Sequence, residues 1–385
     1  MKVFWEVFWR FLLLGLTSFG GPAAHLGYFQ KTFVEEKKWI EQDAYSRLIA
    51  LSQFLPGPGS SQVGFALGLR RAGLPGGIAA FMGFTLPSFL ILYLLAIYGS
   101  HAESGWMVGI IHGLKLLAVI VVADATLNMQ RSFCKEPSSL AIAALTAATL
   151  LIAPGLWIQM VVLILAASVG LLLHKGQTQQ ECLPVKTRKL PLILFLCLFF
   201  ALPLLASQSE WISLFSGFYQ AGSLVFGGGH VVLPLLQQTV GDAVTPDQFI
   251  LGYAAAQAIP GPMFTLATFL GAEMMQNLPL IAALIATLGI FLPGFLLVLG
   301  LQGFWESLAH RPKVAGAVWG INAAVVGLLL SALYQPVFIS SVSSGLDMAL
   351  VIIGFFVLRT FKPPILLLVT SFAVLGYLSL LDLGL

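Results

Sequence analysis

The chain is a succession of long apolar runs, and that pattern limits what it can fold into. A helix needs about 20 apolar residues to cross the hydrocarbon core of a bilayer. Uninterrupted runs that approach or exceed this length stand at 75–99, 104–129, 137–153, 155–173, 190–206, 278–301, 313–339, 347–361 and 363–382. Only 9% of the 385 residues are charged and 58% are hydrophobic, whereas soluble domains carry roughly 25% charged residues. Too little charge is left to cover a water-soluble surface. The expected fold class is therefore all-α, a polytopic membrane protein. A net charge of +3 spread along the chain does not indicate a nucleic-acid surface. The three cysteines, Cys134, Cys182 and Cys197, lack metal-ligand spacing, and their odd number argues against a disulfide framework. No cofactor and no metal are expected. Glu6 and Arg10 interrupt the first apolar residues and no small-residue cleavage site follows, so a removable signal peptide is not expected.

Four further apolar stretches are cut in the middle by Gly and Pro. They are 4–33 (broken at Gly20-Gly21-Pro22), 44–71 (at Pro56-Gly57-Pro58), 210–240 (at Gly227-Gly228-Gly229) and 246–275 (at Pro260-Gly261-Pro262). Non-helical backbone at membrane depth is tolerated only where protein or a water-filled cavity surrounds it. The breaks point to re-entrant hairpins or broken helices meeting around a site; ordinary kinked spans are the alternative.

The breaks recur in pairs. Phe19-Gly20-Gly21 returns 207 residues later as Phe226-Gly227-Gly228, and Gln53 through Pro58 returns 204 later as Gln257 through Pro262. Leu86-Pro87 matches Leu292-Pro293 at 206, and Gly113 matches Gly320 at 207. Two homologous halves are expected, 1–175 and 208–385, joined over 176–207 by a linker with its own connecting span.

Basic residues orient the halves, because cytoplasmic loops carry an excess of Lys and Arg. Lys and Arg occur in the connections 21–45, 130–136, 174–189, 303–313 and 359–362, and are absent from 100–103, 154–155, 207–210, 228–247, 273–278 and 340–347. If each interrupted stretch enters and leaves on one side, the two sets fall on opposite faces. About nine full spans plus four hairpins result, with a cytoplasmic N-terminus and an external C-terminus. Five spans then separate the halves, which makes them inverted repeats, the architecture of secondary transporters. No phosphate-binding Gly-x4-Gly-Lys-Ser/Thr loop is present.

The tips carry the candidate chemistry. The first half offers Ser18, Gly20 and Gly21, then Gln53, Pro56, Gly57, Pro58, Ser60, Ser61 and Gln62. The second offers Gly227, Gly228 and Gly229, then Gln257, Pro260, Gly261, Pro262 and Thr265. A helix that restarts after Pro-Gly leaves unpaired backbone N–H groups at an end bearing roughly half a positive charge. With hydroxyls and amides around it, such an end suits a small oxyanion. Alternatively, the glycines only permit close helix packing and the glutamines hold the bends. Lys115, of nineteen Lys and Arg, lies well inside an uninterrupted span. It is a candidate for the positive charge that a dianion needs, or else a snorkelling or structurally paired lysine; its repeat counterpart is Asn322. His25, His230, Asp124 and Glu273 are the proton-coupling candidates. Asp124 lies nine residues beyond Lys115 and faces away from it on a regular helix.

At these motifs the chain resembles the chromate ion transporter family. The stretches that carry the resemblance are Phe19 through Pro22 with His25 through Phe29, Gln53 through Pro58 with Ser60-Ser61-Gln62, Arg71-Ala72-Gly73, Phe84 through Ser88, Ala221-Gly222-Ser223 with Phe226 through His230, and Gly252-Tyr253 with Gln257 through Pro262. Gly59 and Met263 depart from the family pattern in place of alanine and leucine. The resemblance implies the long-chain, two-domain form, which exports chromate through the cytoplasmic membrane and confers resistance. Residue chemistry alone gives only a small oxyanion, and sulfate shares chromate's charge and shape. The expected partners are that oxyanion and the lipid bilayer, with a homodimer left open. A channel, or a transporter of another small oxyanion, is the alternative. An intramembrane enzyme is not indicated, since paired carboxylates, a His-Glu-x-x-His and a Ser/His/Asp set are all missing from the spans.

Overall fold

A computed structural model describes residues 2–19, 21–99, 105–173, 188–226, 232–301 and 312–382. All regular secondary structure among these residues is helical. The first half comprises α1 (Lys2–Thr17), α2 (Gly21–Phe29) continued by a π-helical turn (Gln30–Glu36), α3 (Gln42–Phe54), α4 (Gly59–Tyr98), α5 (Gly105–Phe133), α6 (Pro137–Ile152) and α7 (Leu156–Leu173). A connecting helix, α8 (Lys189–Leu205), leads into α9 (Glu210–Leu224), α10 (Val232–Val240), α11 (Pro246–Ala258), α12 (Leu266–Met274) and α13 (Pro279–Leu301). The chain ends with α14 (Pro312–Ala332), α15 (Gly345–Phe361) and α16 (Ile365–Asp382). Five helices among the described residues are long and apolar enough to cross a membrane, and four shorter ones are also apolar. The protein is an all-α polytopic membrane protein.

Local chemistry sets the breaks. The forty residues of α4 are two helices joined at Ala72–Gly73, where Gly73 takes φ +64; a glycine exit followed by Pro75 ends one helix and starts the next. Thr245 caps α11 in a reciprocal capping box with Gln248, with Pro246 as the first helical residue. Asp347 and Ser344 form the same device at α15. That helix stops at Lys362, which is left-handed and followed by two prolines.

The interrupted stretches are hairpins. Glu6, near the start of α1, meets Arg71 at 3.1 Å, and that guanidinium lies 5.0 Å from the Trp39 ring centre. The start of α1, the connection before α3 and the end of the first part of α4 thus share one end of the bundle, and both turns lie at the other. In the second half, Gln248 near the start of α11 donates to Glu273 near the end of α12 at 3.0 Å. The hydroxyl of Thr239 in α10 reaches back to the Gly217 carbonyl of α9 at 3.4 Å.

Packing recurs with the sequence offset. Within the first half, Gly15 of α1 abuts the Phe84 carbonyl of α4; 207 and 206 residues later, Gly222 of α9 abuts the Ile290 carbonyl of α13. The last helices cross over. Gly113 of α5 lies against the Phe372 carbonyl and Gly376 of α16, while its counterpart Gly320 of α14 lies against the Ala166 carbonyl and Gly170 of α7. Small residues four apart let helix backbones touch where lipid supplies no hydrophobic drive. Each half therefore lends its final helices to the central helix of the other, with α6 on α14 and α15 on α5 completing the exchange.

Candidate functional site

The two Pro-Gly-Pro turns are tied into the opposite half by a matched pair of backbone hydrogen bonds. The Gly57 N–H donates to the Val225 carbonyl at 2.7 Å, and the Gly261 N–H donates to the Ser18 carbonyl at 3.1 Å. Donors and acceptors are related by the repeat offsets of 204 and 207. Gly57 has φ +119 and Gly261 φ +104, a region where a side chain is strained. A Cβ on Gly57 would stand 3.1 Å from the Gly294 Cα, and one on Gly261 would stand 2.8 Å from the Ser88 hydroxyl. Gly294 and Ser88 are themselves equivalent, 206 residues apart. Each turn is thus wedged between the first tip and the Leu-Pro helix of the other half.

These bonds change one expectation. Free backbone N–H groups are expected at the tips, yet those of Gly57 and Gly261 are consumed in joining the halves. The open donors belong to the next residues. The helix beginning at Gly59 has no side-chain cap, and the amides of Gly59, Ser60 and Ser61 have no intrahelical acceptor. At the second turn, a short 3-10 segment (Met263–Thr265) intervenes, and the Thr265 hydroxyl donates back to the Pro262 carbonyl at 2.5 Å.

Around the first-half tips, polar groups are buried beyond what packing needs. His25 is 1% exposed, 3.2 Å from the Ser60 hydroxyl and hydrogen-bonded to the Ser18 backbone. Its ring stands edge-on to Phe84, whose carbonyl faces Gly261. Gln62 is fully buried and donates to the Pro56 carbonyl at 2.8 Å, holding the turn. The hydroxyls of Ser18, Ser61 and Thr85 and the side-chain oxygen of Gln62 are buried without a protein partner. A buried polar atom left unpaired costs about 1–3 kcal/mol, and a ligand is one way to offset that cost. Thr85 and Ser88 lie in the Phe84–Ser88 stretch that carries the resemblance, beside the repeated Leu86-Pro87, and are not among the candidate site residues read from the sequence.

Other candidates lie elsewhere. Lys115 forms an ion pair with Asp247 in the first turn of α11. Twelve residues of chain, about 18 Å of helix, separate Asp247 from the turn after Ala258, so the structure does not bring Lys115 to the tips. Asp124 pairs with Arg359 of α15 at 2.8 Å, and Arg359 also donates to Asn128. His112, three residues before Lys115, meets Asp347 at 2.8 Å. Gln257 donates to the Tyr253 hydroxyl at 2.7 Å. One Glu273 oxygen accepts from Gln248 while the other is buried and unpaired, as is the side-chain oxygen of Asn322. Gln53 stands in the last turn of α3 and Pro58 caps α4. Gly21, at φ +78, opens α2, and Pro260 is buried in its turn. Gly20, Gly227, Gly228, Gly229 and His230 lie outside the described residues. Among the described residues, no group of acidic, His and Cys side chains could hold a metal.

A sequence model of the chromate transporter family matches residues 5–172 and, separately, 212–377. An uncharacterised transporter of Methanocaldococcus jannaschii is 28% identical over 97% of this chain and 94% of its own. A chromate transport protein of Pseudomonas aeruginosa is 27% identical over 84% of this chain and 79% of its own. One from Cupriavidus metallidurans is 28% identical over 84% and 80%. No solved structure matches. The chain belongs to the chromate transporter family.

Proposed function

With family membership as the premise, we propose that this protein carries chromate, and sulfate as an ion of the same charge and shape, out of the cytoplasm as a secondary active transporter. The observation that carries the reading is the reciprocal junction of the two Pro-Gly-Pro turns with the unpaired buried hydroxyls beside it. Ser18, Ser60, Ser61, Thr85 and the amides opening α4 offer neutral donors that replace the ion's hydration shell without holding it too tightly for release. The two halves act as inverted repeats, and the anion sits where they meet. Sidedness follows the Lys- and Arg-bearing connections, which places the N-terminus inside and the C-terminus outside. His25 is the favoured proton-coupling group, because it touches Ser60 and the Ser18 backbone within the site. Lys115 acts at a distance from the tips, as a charge that draws the dianion toward the bundle.

Proteoliposomes loaded with buffer and given labelled chromate test this reading. Saturable uptake that sulfate inhibits and an imposed pH gradient accelerates is expected. Uptake that follows only the electrochemical gradient of the anion would make the protein a channel.

A further inference from the structure

The ion pair between Lys115 and Asp247 is built unlike the other charge pairs on α5. Asp347 is spoken for, accepting from His112, from the Ser343 hydroxyl and from the backbone N–H groups of Ser343 and Ser344, and its side chain is 7% exposed. Asp124 is shared between Arg359 and Asn128. The Asp247 side chain, by contrast, is 59% exposed, while that of Lys115 is 15% exposed. A largely buried cation is therefore neutralised by a carboxylate whose side chain is mostly exposed.

Two cavities are lined by residues close in sequence to this pair, and neither is lined by Lys115 or Asp247 themselves. A cavity of about 340 Å3 is lined by Gln159, Gln237, Gln238 and Gln335, with Ser331 and Asp242. Gln237 also borders a narrow gap shared with Ala118, Pro246 and Phe249. Ala118 is one turn beyond Lys115, and Pro246 adjoins Asp247. The cavity contains no Lys or Arg among its lining residues, so it offers an anion no full positive charge.

We propose that Asp247 is a resident counter-ion which the transported anion must displace from Lys115, and that this exchange selects dianions over monoanions. The inference rests on the oxyanion-transport reading above. A monoanion offers Lys115 no more charge than Asp247 already does. The carboxylate is also tethered by α11, so its effective concentration at the ammonium is in the millimolar range or above. A dianion offers twice the charge and wins in proportion to the Coulomb energy. Displacement also frees the start of α11 from α5, which links anion arrival to movement of the hairpin carrying Gly261. The repeat-equivalent positions, Asp43 and Asn322, cannot form such an ion pair, so the filter belongs to one end of the molecule.

Sulfate and perchlorate are both tetrahedral and differ in charge, which makes them the probes. Chromate uptake into proteoliposomes is measured against each competitor for the unaltered protein, Asp247→Asn and Asp247→Glu. In the unaltered protein sulfate should compete far better than perchlorate. Asp247→Asn should improve perchlorate competition by about fivefold, in keeping with removal of a part-exposed ion pair, and Asp247→Glu should keep the original ratio. A purely structural role would change yield or rate and leave the ratio alone. Uptake with an unchanged ratio in Asp247→Asn overturns this inference only. Absence of chromate uptake by the unaltered protein overturns the transport reading, and this inference with it.

Discussion

The Pro-Gly-Pro turns and the central helices α5 and α14 are both repeat pairs, and they have diverged very differently. At the turns, the match extends to individual atoms: Gly57 to Val225 and Gly261 to Ser18, each turn lying against the equivalent neighbour, Gly294 or Ser88. Along the central helices only the glycine seams match. His112, Lys115 and Asp124 of α5 each pair with a charged group of the second half, while their counterparts in α14 are Trp319, Asn322 and Ser331. Backbone geometry has been kept in duplicate and charge has not. The duplicated backbone geometry is what the proposed shared site rests on, and the unduplicated charge is what the proposed dianion filter rests on.

The glycine seams should respond most strongly to substitution. Gly113→Leu and Gly320→Leu each push a side chain into a backbone carbonyl of the crossing helix. Overpacking of this kind costs about 1–3 kcal/mol or more. Both should lower the thermal unfolding midpoint in detergent by similar amounts, whereas Gly155→Leu, which meets nothing within 4 Å, should leave it unchanged. Charge should sharpen the contrast next. Lys115→Gln is expected to abolish chromate export at normal expression, with Lys115→Arg keeping part of it, while Asn322→Ala retains export in the same whole-cell assay. A smaller effect is expected for Arg359→Gln. Its pair with Asp124 is about a quarter exposed on each side, so a loss of about 1 kcal/mol, read by chemical denaturation and shrinking in high salt, is anticipated. Least of all, Ser60→Ala removes one hydrogen bond to His25. Roughly threefold weaker apparent affinity, equivalent to about 0.5–1 kcal/mol, should show in uptake titrations without a change in yield.

The breaks in the helices were legible because Gly and Pro act locally. Pro56-Gly57-Pro58 announces a break wherever it stands, and its return at 260–262 announces duplication. The apolar runs likewise announced helices; α8 follows the expected 190–206 closely. What the sequence hid is which helix lies against which. The partners of Lys115, Asp124 and His112 stand 132, 235 and 235 residues away, and no local pattern records such distances. The crossing of α7 and α16 onto the opposite half was hidden for the same reason, since a glycine pair shows that a helix packs closely without showing on what. The use of the Gly57 and Gly261 amides between the halves was invisible because a backbone N–H carries no sign of which distant carbonyl will accept from it.

On the proposed function, the two turns form one shared site rather than two independent ones. Labelled chromate uptake into proteoliposomes by Gly57→Val and by Gly261→Val tests it most directly. At φ +119 and +104, a β-branched residue is strained by about 1–3 kcal/mol and pushes away the opposite half's Gly294 or Ser88. Each single variant is predicted to lose essentially all uptake while still purifying as a folded protein. Retention of about half the unaltered rate by either variant, as two separate sites would give, would contradict the account.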